Sequence, residues 1–172
     1  FSVSGDTPRA GIYELELGMT VDQFVNDFGD GDTKAVQVGG ASGFCVPRKR
    51  FEETIIGFEG VPTGGSMKLF NSSRSMYNVL HNYLDFFTEE SCGQCTPCRE
   101  GTAWVDGIIA NMLNKKAKAD DLDLLSDISR TMNGKTICVF APAVAMVIDG
   151  FLLRFRDEFE AYIQKSTGDT DG

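Results

Sequence analysis

The chain has 172 residues, of which 42% are hydrophobic and 24% are charged, the balance of an ordinary globular protein. Its net charge of −9 argues against a nucleic-acid or anionic-membrane surface, because no basic run is present to meet phosphates. No apolar run approaches the roughly 20 residues that a spanning helix needs. We therefore expect neither nucleic-acid binding nor direct membrane insertion.

The first 72 residues alternate strand and helix patterns, with strands expected over residues 1–4, 11–17, 35–38 and 66–70. Between the second and third strands, Thr20 and Gln23 have the spacing of a capping box. Apolar residues at helical spacing follow and stop at Gly29. A helix packed on one mixed sheet in a unit of this size suggests a small β-grasp (ubiquitin-like) domain over residues 1–72.

From residue 73 onwards the apolar period becomes helical, with stripes in residues 76–87, 105–113, 122–132 and 144–162. Ser72 or Ser73 is the expected cap of the first helix and Asp120 that of the third, while Pro142 suits the first turn of the fourth. Four helices with short connections over residues 73–165 predict an antiparallel four-helix bundle and an α+β protein overall. Residues 166–172 are expected to form a disordered tail.

Three cysteines at two-residue gaps, Cys92, Cys95 and Cys98, precede the second helix, which is expected to begin at about Glu100. A fourth, Cys138, lies between the third and fourth helices. In an up-down bundle these two connections fall at the same end, so Cys138 can reach the other three. Three soft thiolates from one short segment and one from a remote segment are the ligand set of a 4Fe-4S cluster.

The residues around these cysteines suit such a site. Gly93 allows a tight wrap and Pro97 fixes one φ angle. The second helix would begin at the cluster, so that its positive end faces the negative iron–sulfur unit. Arg99 either adds a fixed positive charge there or is a solvated residue of the first turn. Gly93 and Arg99 are thus candidates for supporting the cluster from outside its ligands.

Other interpretations of the cysteines stay open. Four thiolates also suit a tetrahedral zinc ion, although zinc sites usually show two C-x2-C pairs. Two disulfides with Cys45 left over are a further alternative, but an odd count of five favours a reducing compartment. The single histidine, His81, is expected to be a surface or packing residue of the first helix. No histidine lies near a cysteine in the sequence, so thiol catalysis is not indicated, and no catalytic residue is assigned.

Residues 90–102, ESCGQCTPCREGT, resemble the NADH-oxidising flavoprotein subunit of respiratory complex I and its relatives, the diaphorase subunits of NAD-linked hydrogenases and formate dehydrogenases. Residues 134–138 and 151–158 resemble the region around that family's fourth cluster ligand. Residues 3–43 are similar to its soluble-ligand-binding β-grasp domain.

The resemblance implies a 4Fe-4S cluster bound by Cys92, Cys95, Cys98 and Cys138. In the family this cluster takes electrons one at a time from reduced FMN and passes them to iron–sulfur clusters of a neighbouring subunit. The implied partners are an FMN- and NADH-binding domain or subunit, a thioredoxin-like 2Fe-2S subunit and a larger iron–sulfur subunit. The implied location is the cytoplasmic or mitochondrial-matrix side, in the peripheral part of a larger complex.

In that family the FMN- and NADH-binding domain would precede Phe1. We therefore expect the chain to be a C-terminal piece or one polypeptide of a split subunit, without NADH oxidation of its own. Two alternatives remain: part of a hydrogenase or formate dehydrogenase diaphorase subunit, or a non-redox docking module with a structural zinc site.

Overall fold

A computed structural model of the chain describes residues 1–118 and 120–168, with side chains up to Lys165. The chain divides into two units, Phe1–Arg74 and Ser75–Gly172. The described residues form an α+β structure with one mixed five-stranded sheet and five α-helices.

The strands of the first unit are β1 (Ser2–Gly5), β2 (Gly11–Ile12), β3 (Thr33–Val38), β4 (Phe44–Pro47) and β5 (Ser66–Asn71). They form one sheet in the order β2-β1-β5-β3-β4. β1 runs parallel to β5, with Val3 opposite Met67, and the other neighbours are antiparallel. A short 3-10 turn, Arg48–Arg50, follows β4.

The one α-helix of this unit, α1 (Val21–Phe28), begins at the predicted capping box. The Thr20 hydroxyl accepts from the Gln23 amide at 3.1 Å, and the Gln23 side chain accepts from the Thr20 amide at 2.9 Å. The prediction that the helix ends at Gly29 is confirmed. A methyl group at Gly29 would lie 2.7 Å from the Val25 carbonyl oxygen, so lack of space favours glycine there.

The sheet differs from the sequence expectation in two places. The strand predicted over residues 11–17 ends at Ile12, and Leu17 is 56% exposed. Tyr13 and Leu15 instead pack against the core of this unit, Tyr13 with its ring edge-on to Phe28, so the alternation reflects burial beyond the end of the strand. β4 was not predicted, and it holds Cys45 buried in the sheet.

The second unit consists of α2 (Met76–Glu90), α3 (Thr96–Leu113), α4 (Asp121–Met132) and α5 (Phe140–Gly168). α2 and α4 each pack against both α3 and α5, and α3 also contacts α5. α5 is kinked at Phe155, which has φ −128° and ψ 17°. The predicted stripes supply the core of this unit, whose buried side chains include Leu80, Leu84, Ile109, Leu125, Met132, Ile148, Phe151 and Phe159.

Ring contacts between α2 and α5 fix the relative direction of these helices. Tyr77, near the start of α2, meets Phe159, late in α5, with ring centroids 6.3 Å apart. Phe87, near the end of α2, meets Phe140, the first residue of α5, at 5.5 Å. The two helices therefore run antiparallel, and the end of α2 lies beside the start of α5.

Two predicted helix starts were wrong. The cap of α2 is Ser75, whose hydroxyl accepts from the Asn78 amide, and not Ser72 or Ser73. The Asn71 side chain accepts from the Ser73 amide and hydroxyl, which holds this segment in a turn. α3 begins at Thr96 rather than near residue 100.

The other helix ends follow the sequence more closely. Asp120 precedes α4 as predicted, but within the described residues its side chain makes no capping hydrogen bond. The Asp121 carboxylate instead accepts from the Lys118 amide at 2.8 Å. α5 includes residues 166–168, which were expected in the tail, and residues 169–172 lie outside the described part. No helix in the described ranges combines the length and apolarity needed to cross a bilayer.

Candidate metal centre

The first three cysteines are presented by the connection between α2 and α3 and by the start of α3. Cys92 lies in the connection, Cys95 is the N-cap of α3, and Cys98 lies in its first turn. The Cys95 carbonyl accepts from the amides of Cys98 and Arg99, each at 3.0 Å. Pro97 suits this first turn because the amide that it lacks would have no helical partner. The helix thus fixes the backbone of two candidate ligands.

The four candidate thiols differ in their access to water. Cys98 is buried, with 7% of its surface exposed, while Cys95 is half-buried and Cys92 and Cys138 are exposed. None of the five cysteines, all of which lie within the described residues, forms a disulfide bond, which contradicts the two-disulfide alternative. The site therefore has one sulfur in the protein interior and an open rim.

Cys138 lies just before α5, at the end of the unit where α2 finishes. Its carbonyl accepts from the Thr136 hydroxyl at 2.9 Å. At this end α3 also packs closely on α4, where Gly101 of α3 lies against Met132 of α4. A methyl group added at Gly101 would lie only 2.6 Å from Cγ and Sδ of Met132. Both cysteine-bearing segments thus belong to the same end of the helical unit.

The two residues proposed to support the site contact each other. Gly93 has φ +73°, a conformation that glycine adopts without strain. Its carbonyl accepts from the Arg99 guanidinium at 2.7 Å, and the Arg99 side chain also pairs with Glu100 at 2.9 Å. Arg99 therefore braces the cysteine-bearing connection by a hydrogen bond, besides bringing a positive charge.

Sequence reasoning missed three hydroxyl side chains at this site. Ser91 Oγ lies 3.4 Å from Cys98 Sγ. Thr102 donates to the Cys98 carbonyl at 2.9 Å. Thr88 of α2 shares its hydroxyl proton between the Leu84 carbonyl at 2.8 Å and the Thr102 carbonyl at 3.2 Å. Only the position of Ser91 directly before the first cysteine offered a signal, since the other contacts depend on how α2 packs on α3.

His81 is half-buried in the middle of α2, where its Nε2 lies 3.6 Å from Oδ1 of Asp106 on α3. Burial raises the pKa of Asp106, an effect that His81 opposes and Asp85 reinforces. The histidine thus belongs to a helix–helix contact. Cys45, in the other unit, is buried in β4.

Among the described residues, no three His, Cys, Asp or Glu side chains are arranged around one metal ion. A cubane 4Fe-4S cluster does not need three such side chains around one ion, because each of its four irons binds a separate thiolate. The donor set around the α2–α3 connection is made of thiols, the soft ligands that iron–sulfur clusters use. These residues fit a 4Fe-4S cluster because they are thiols and because the two segments that carry them lie at the same end of the helical unit.

Comparison with known proteins agrees with this chemistry. Residues 78–162 match the family model of the NADH-ubiquinone oxidoreductase-F iron-sulfur binding region. The helical unit belongs to this iron–sulfur binding family. Its cofactor is a 4Fe-4S cluster, whereas FMN and NADH belong to the family's partner domain.

Similar proteins carry related names. The chain is 30% identical over 173 residues to the F subunit of NADH-quinone oxidoreductase from Mycobacterium tuberculosis, covering 95% of this chain and 39% of that protein. It is 36% identical over 122 residues to the alpha subunit of the NAD-reducing hydrogenase HoxS from Cupriavidus necator, covering 71% of this chain and 20% of that protein.

A solved structure extends the likeness to both units. The crystal structure of an NAD+-reducing [NiFe]-hydrogenase in the H2-reduced state matches with a TM-score of 0.89 and 31% identity, over 95% of this chain and 29% of that one. The chain therefore spans well under half the length of these similar proteins.

Proposed function

We propose that this chain is the electron-relay part of an NADH:acceptor oxidoreductase, with a 4Fe-4S cluster bound by Cys92, Cys95, Cys98 and Cys138. The observation that supports this ligand set most directly is the contact between Phe87 and Phe140. Because the end of α2 meets the start of α5, the segment with three cysteines and the segment with the fourth share one end of the unit. The match to a 4Fe-4S binding region supports the identity of the cofactor.

A bound 4Fe-4S cluster supplies reversible one-electron transfer. The residues of the chain bind it and exclude water from one side. The N-terminal amides of α3 and the positive end of its dipole favour a negative group beside Cys95 and Cys98. Arg99 holds the Gly93 carbonyl and so keeps the connection wrapped. The buried Cys98 forms the inner wall of the site, and the exposed Cys92 and Cys138 form its rim.

We further propose a β-grasp domain followed by an antiparallel four-helix bundle, with the domain boundary near residue 72. The packing of α2 and α4 against both α3 and α5 supports the bundle, and the parallel β1–β5 pair in a mixed sheet supports the β-grasp.

Ile137 and Val139 on either side of Cys138 are 91% and 81% exposed. Such apolar residues at the rim are typical of a site covered by another protein.

The proposed partners are an FMN- and NADH-binding domain that gives electrons, and a thioredoxin-like 2Fe-2S subunit with a larger iron–sulfur subunit on the receiving side. We place the complex on the cytoplasmic or mitochondrial-matrix side of a membrane, with this chain in its peripheral part. Relatives named as subunits of NADH-quinone oxidoreductase support this assembly. A diaphorase subunit of an NAD-linked hydrogenase is the second candidate, favoured by the match to hydrogenase structures.

Single replacements of the cysteines by alanine test the ligand set. We expect each of Cys92→Ala, Cys95→Ala, Cys98→Ala and Cys138→Ala to lose iron and sulfide after anaerobic reconstitution. Cys45→Ala is the matched control, because it removes a thiol from the sheet of the other unit, and it should keep the wild-type iron content. Loss of iron from the Cys45 variant alone, or full retention in any of the four, would refute the assignment.

Cys138→Ser separates a relay from a structural metal site, because it removes one thiolate while nearly keeping the size of the side chain. In a relay this variant loses electron transfer from photoreduced FMN even where its cluster content survives. In a structural site it loses the metal and the fold together, which far-UV circular dichroism would detect.

A further inference from the structure

Ser91 stands where α2 ends and the cysteine-bearing connection begins. It is the C-cap of α2, with φ −65° and ψ 124°. Its hydroxyl oxygen lies 3.4 Å from Cys98 Sγ, a normal distance for a hydrogen bond to sulfur. The side chain therefore reaches over the connection to a sulfur in the first turn of the next helix.

The surrounding contacts decide which atom donates. A serine hydroxyl has one proton to give and two lone pairs that accept. The Gly93 amide donates to Ser91 Oγ at 3.4 Å, which occupies a lone pair and leaves the proton free. A cysteine bound to iron is a thiolate and has no proton to give. When Cys98 is a ligand, the Ser91 O–H group is consequently the donor and Cys98 Sγ the acceptor.

We infer that Ser91 tunes the reduction potential of the cluster by donating a hydrogen bond to the Cys98 thiolate. This inference rests on the proposed ligand set, in which Cys98 binds iron. Reduction adds one negative charge to the cluster and its thiolates, so a hydrogen-bond donor stabilises the reduced form more than the oxidised form. Ser91 thereby raises the potential.

Cys98 is the sulfur at which such a donor has the largest effect. It is the buried member of the set, whereas Cys92 and Cys138 are exposed to water. Water competes with a protein donor at an exposed sulfur, but a hydrogen bond in a low-dielectric interior is electrostatically stronger. The same hydroxyl at the rim would change the potential less.

Two further hydrogen bonds hold Cys98 in place for Ser91. Thr102, which is buried, donates to the Cys98 carbonyl, and Thr88 shares its hydroxyl proton between the Leu84 carbonyl of α2 and the Thr102 carbonyl. These bonds tie the end of α2 to the first turns of α3. The distance between Ser91 and Cys98 is therefore set by helix packing and not by a mobile loop.

The test is an EPR-monitored redox titration of the full, cluster-loaded chain, with iron and sulfide content and resonance Raman spectra measured on the same samples. Alanine adopts the Ser91 backbone conformation without strain, so Ser91→Ala removes only the hydroxyl, with its contacts to Cys98 Sγ and to the Gly93 amide. We expect it to keep the wild-type cluster content, to shift the potential to a more negative value, and to raise an Fe–S(Cys) stretching frequency. Ser91→Thr, which keeps a hydroxyl, should restore both values.

Thr136→Ala is the matched control, because the Thr136 hydroxyl donates to the Cys138 carbonyl and not to a sulfur. A shift as large as that of Ser91→Ala in this control would overturn the inference. So would a Ser91→Ala chain with full cluster content and an unchanged potential, and the proposed function would then still stand. A Ser91→Ala chain that binds no cluster while Ser91→Thr does would make the hydroxyl a requirement for binding, which also contradicts tuning. Absence of a 4Fe-4S cluster from the wild-type chain would instead refute the proposed function.

Discussion

Gly101→Ala tests the contact between α3 and α4 at the metal-centre end of the helical unit. Gly101 is buried, and an added methyl group would lie 2.6 Å from Cγ and Sδ of Met132, which is itself fully buried. These atoms belong to the middle of the methionine side chain, so the overlap cannot be relieved by moving its tip alone. Such overpacking costs about 1–3 kcal/mol. Alanine gains about 1 kcal/mol over glycine within a helix, so we expect a net loss of up to about 2 kcal/mol.

Gly107→Ala, in the same helix, is the matched control. Gly107 is exposed and nothing lies within 4 Å of an added methyl group. The control should show the helix-propensity gain alone, a stabilisation of about 1 kcal/mol. The difference between the two variants therefore measures the overlap with Met132.

Met132→Ala completes a double-mutant cycle. Alone it should cost about 2–5 kcal/mol, the usual range for emptying a buried methionine site. With that side chain gone, Gly101→Ala should become stabilising. Anaerobic urea unfolding of the cluster-loaded chain suits this measurement, because Trp104 is the single tryptophan and lies on α3, so that its fluorescence reports the helical unit. Stabilisation by Gly101→Ala in the wild-type background, or no change of sign with Met132→Ala, would refute the reasoning.

Three further substitutions test other contacts. Thr20→Ala removes the capping box of α1 and should cost about 0.5–2 kcal/mol, visible as faster hydrogen exchange in α1, whereas unchanged exchange would contradict the capping role. Hydrogen bonding to the Arg74 guanidinium lowers the pKa of Asp6, so Asp6→Asn should destabilise the sheet at neutral pH. That difference should vanish as the pH falls through the folded-state pKa, and a difference that persists in acid would exclude the ion pair as its cause. Burial raises the pKa of Asp106 beside His81, so the helical unit should lose stability as the pH rises from 3.8 through the raised pKa. Asp106→Asn should abolish this slope in urea titrations, and an unchanged slope would show that another group titrates.

The sequence predicted best those features that a few neighbouring residues determine. The Thr20–Gln23 capping box needs only a spacing of three residues, and it formed as expected. Apolar periodicity predicted the inner faces of the helices, because a helix buries the same stripe of side chains whichever helices it packs against. The two-residue gaps between the cysteines are likewise local, and the ligand set that they indicate stays a prediction.

The errors lie where tertiary contacts override a local pattern. Residues 13–17 alternate like a strand, yet the strand ends at Ile12. Tyr13 still exchanges backbone hydrogen bonds with Phe1, and it packs with Leu15 against the core of the unit. β4 is four residues long and ends in Pro47, so its strand signal was too short to recognise. The link between Ser91 and Cys98 depends on the turn from α2 into α3, which no spacing rule describes.

Anaerobic iron and sulfide analysis, combined with low-temperature EPR of the dithionite-reduced chain, tests the central claim most directly. The account predicts four irons and four sulfides per chain, with a fast-relaxing S = 1/2 signal that the cysteine variants lose. Zinc in place of iron, with no EPR signal after reduction, would contradict the electron-relay function and favour a structural metal site.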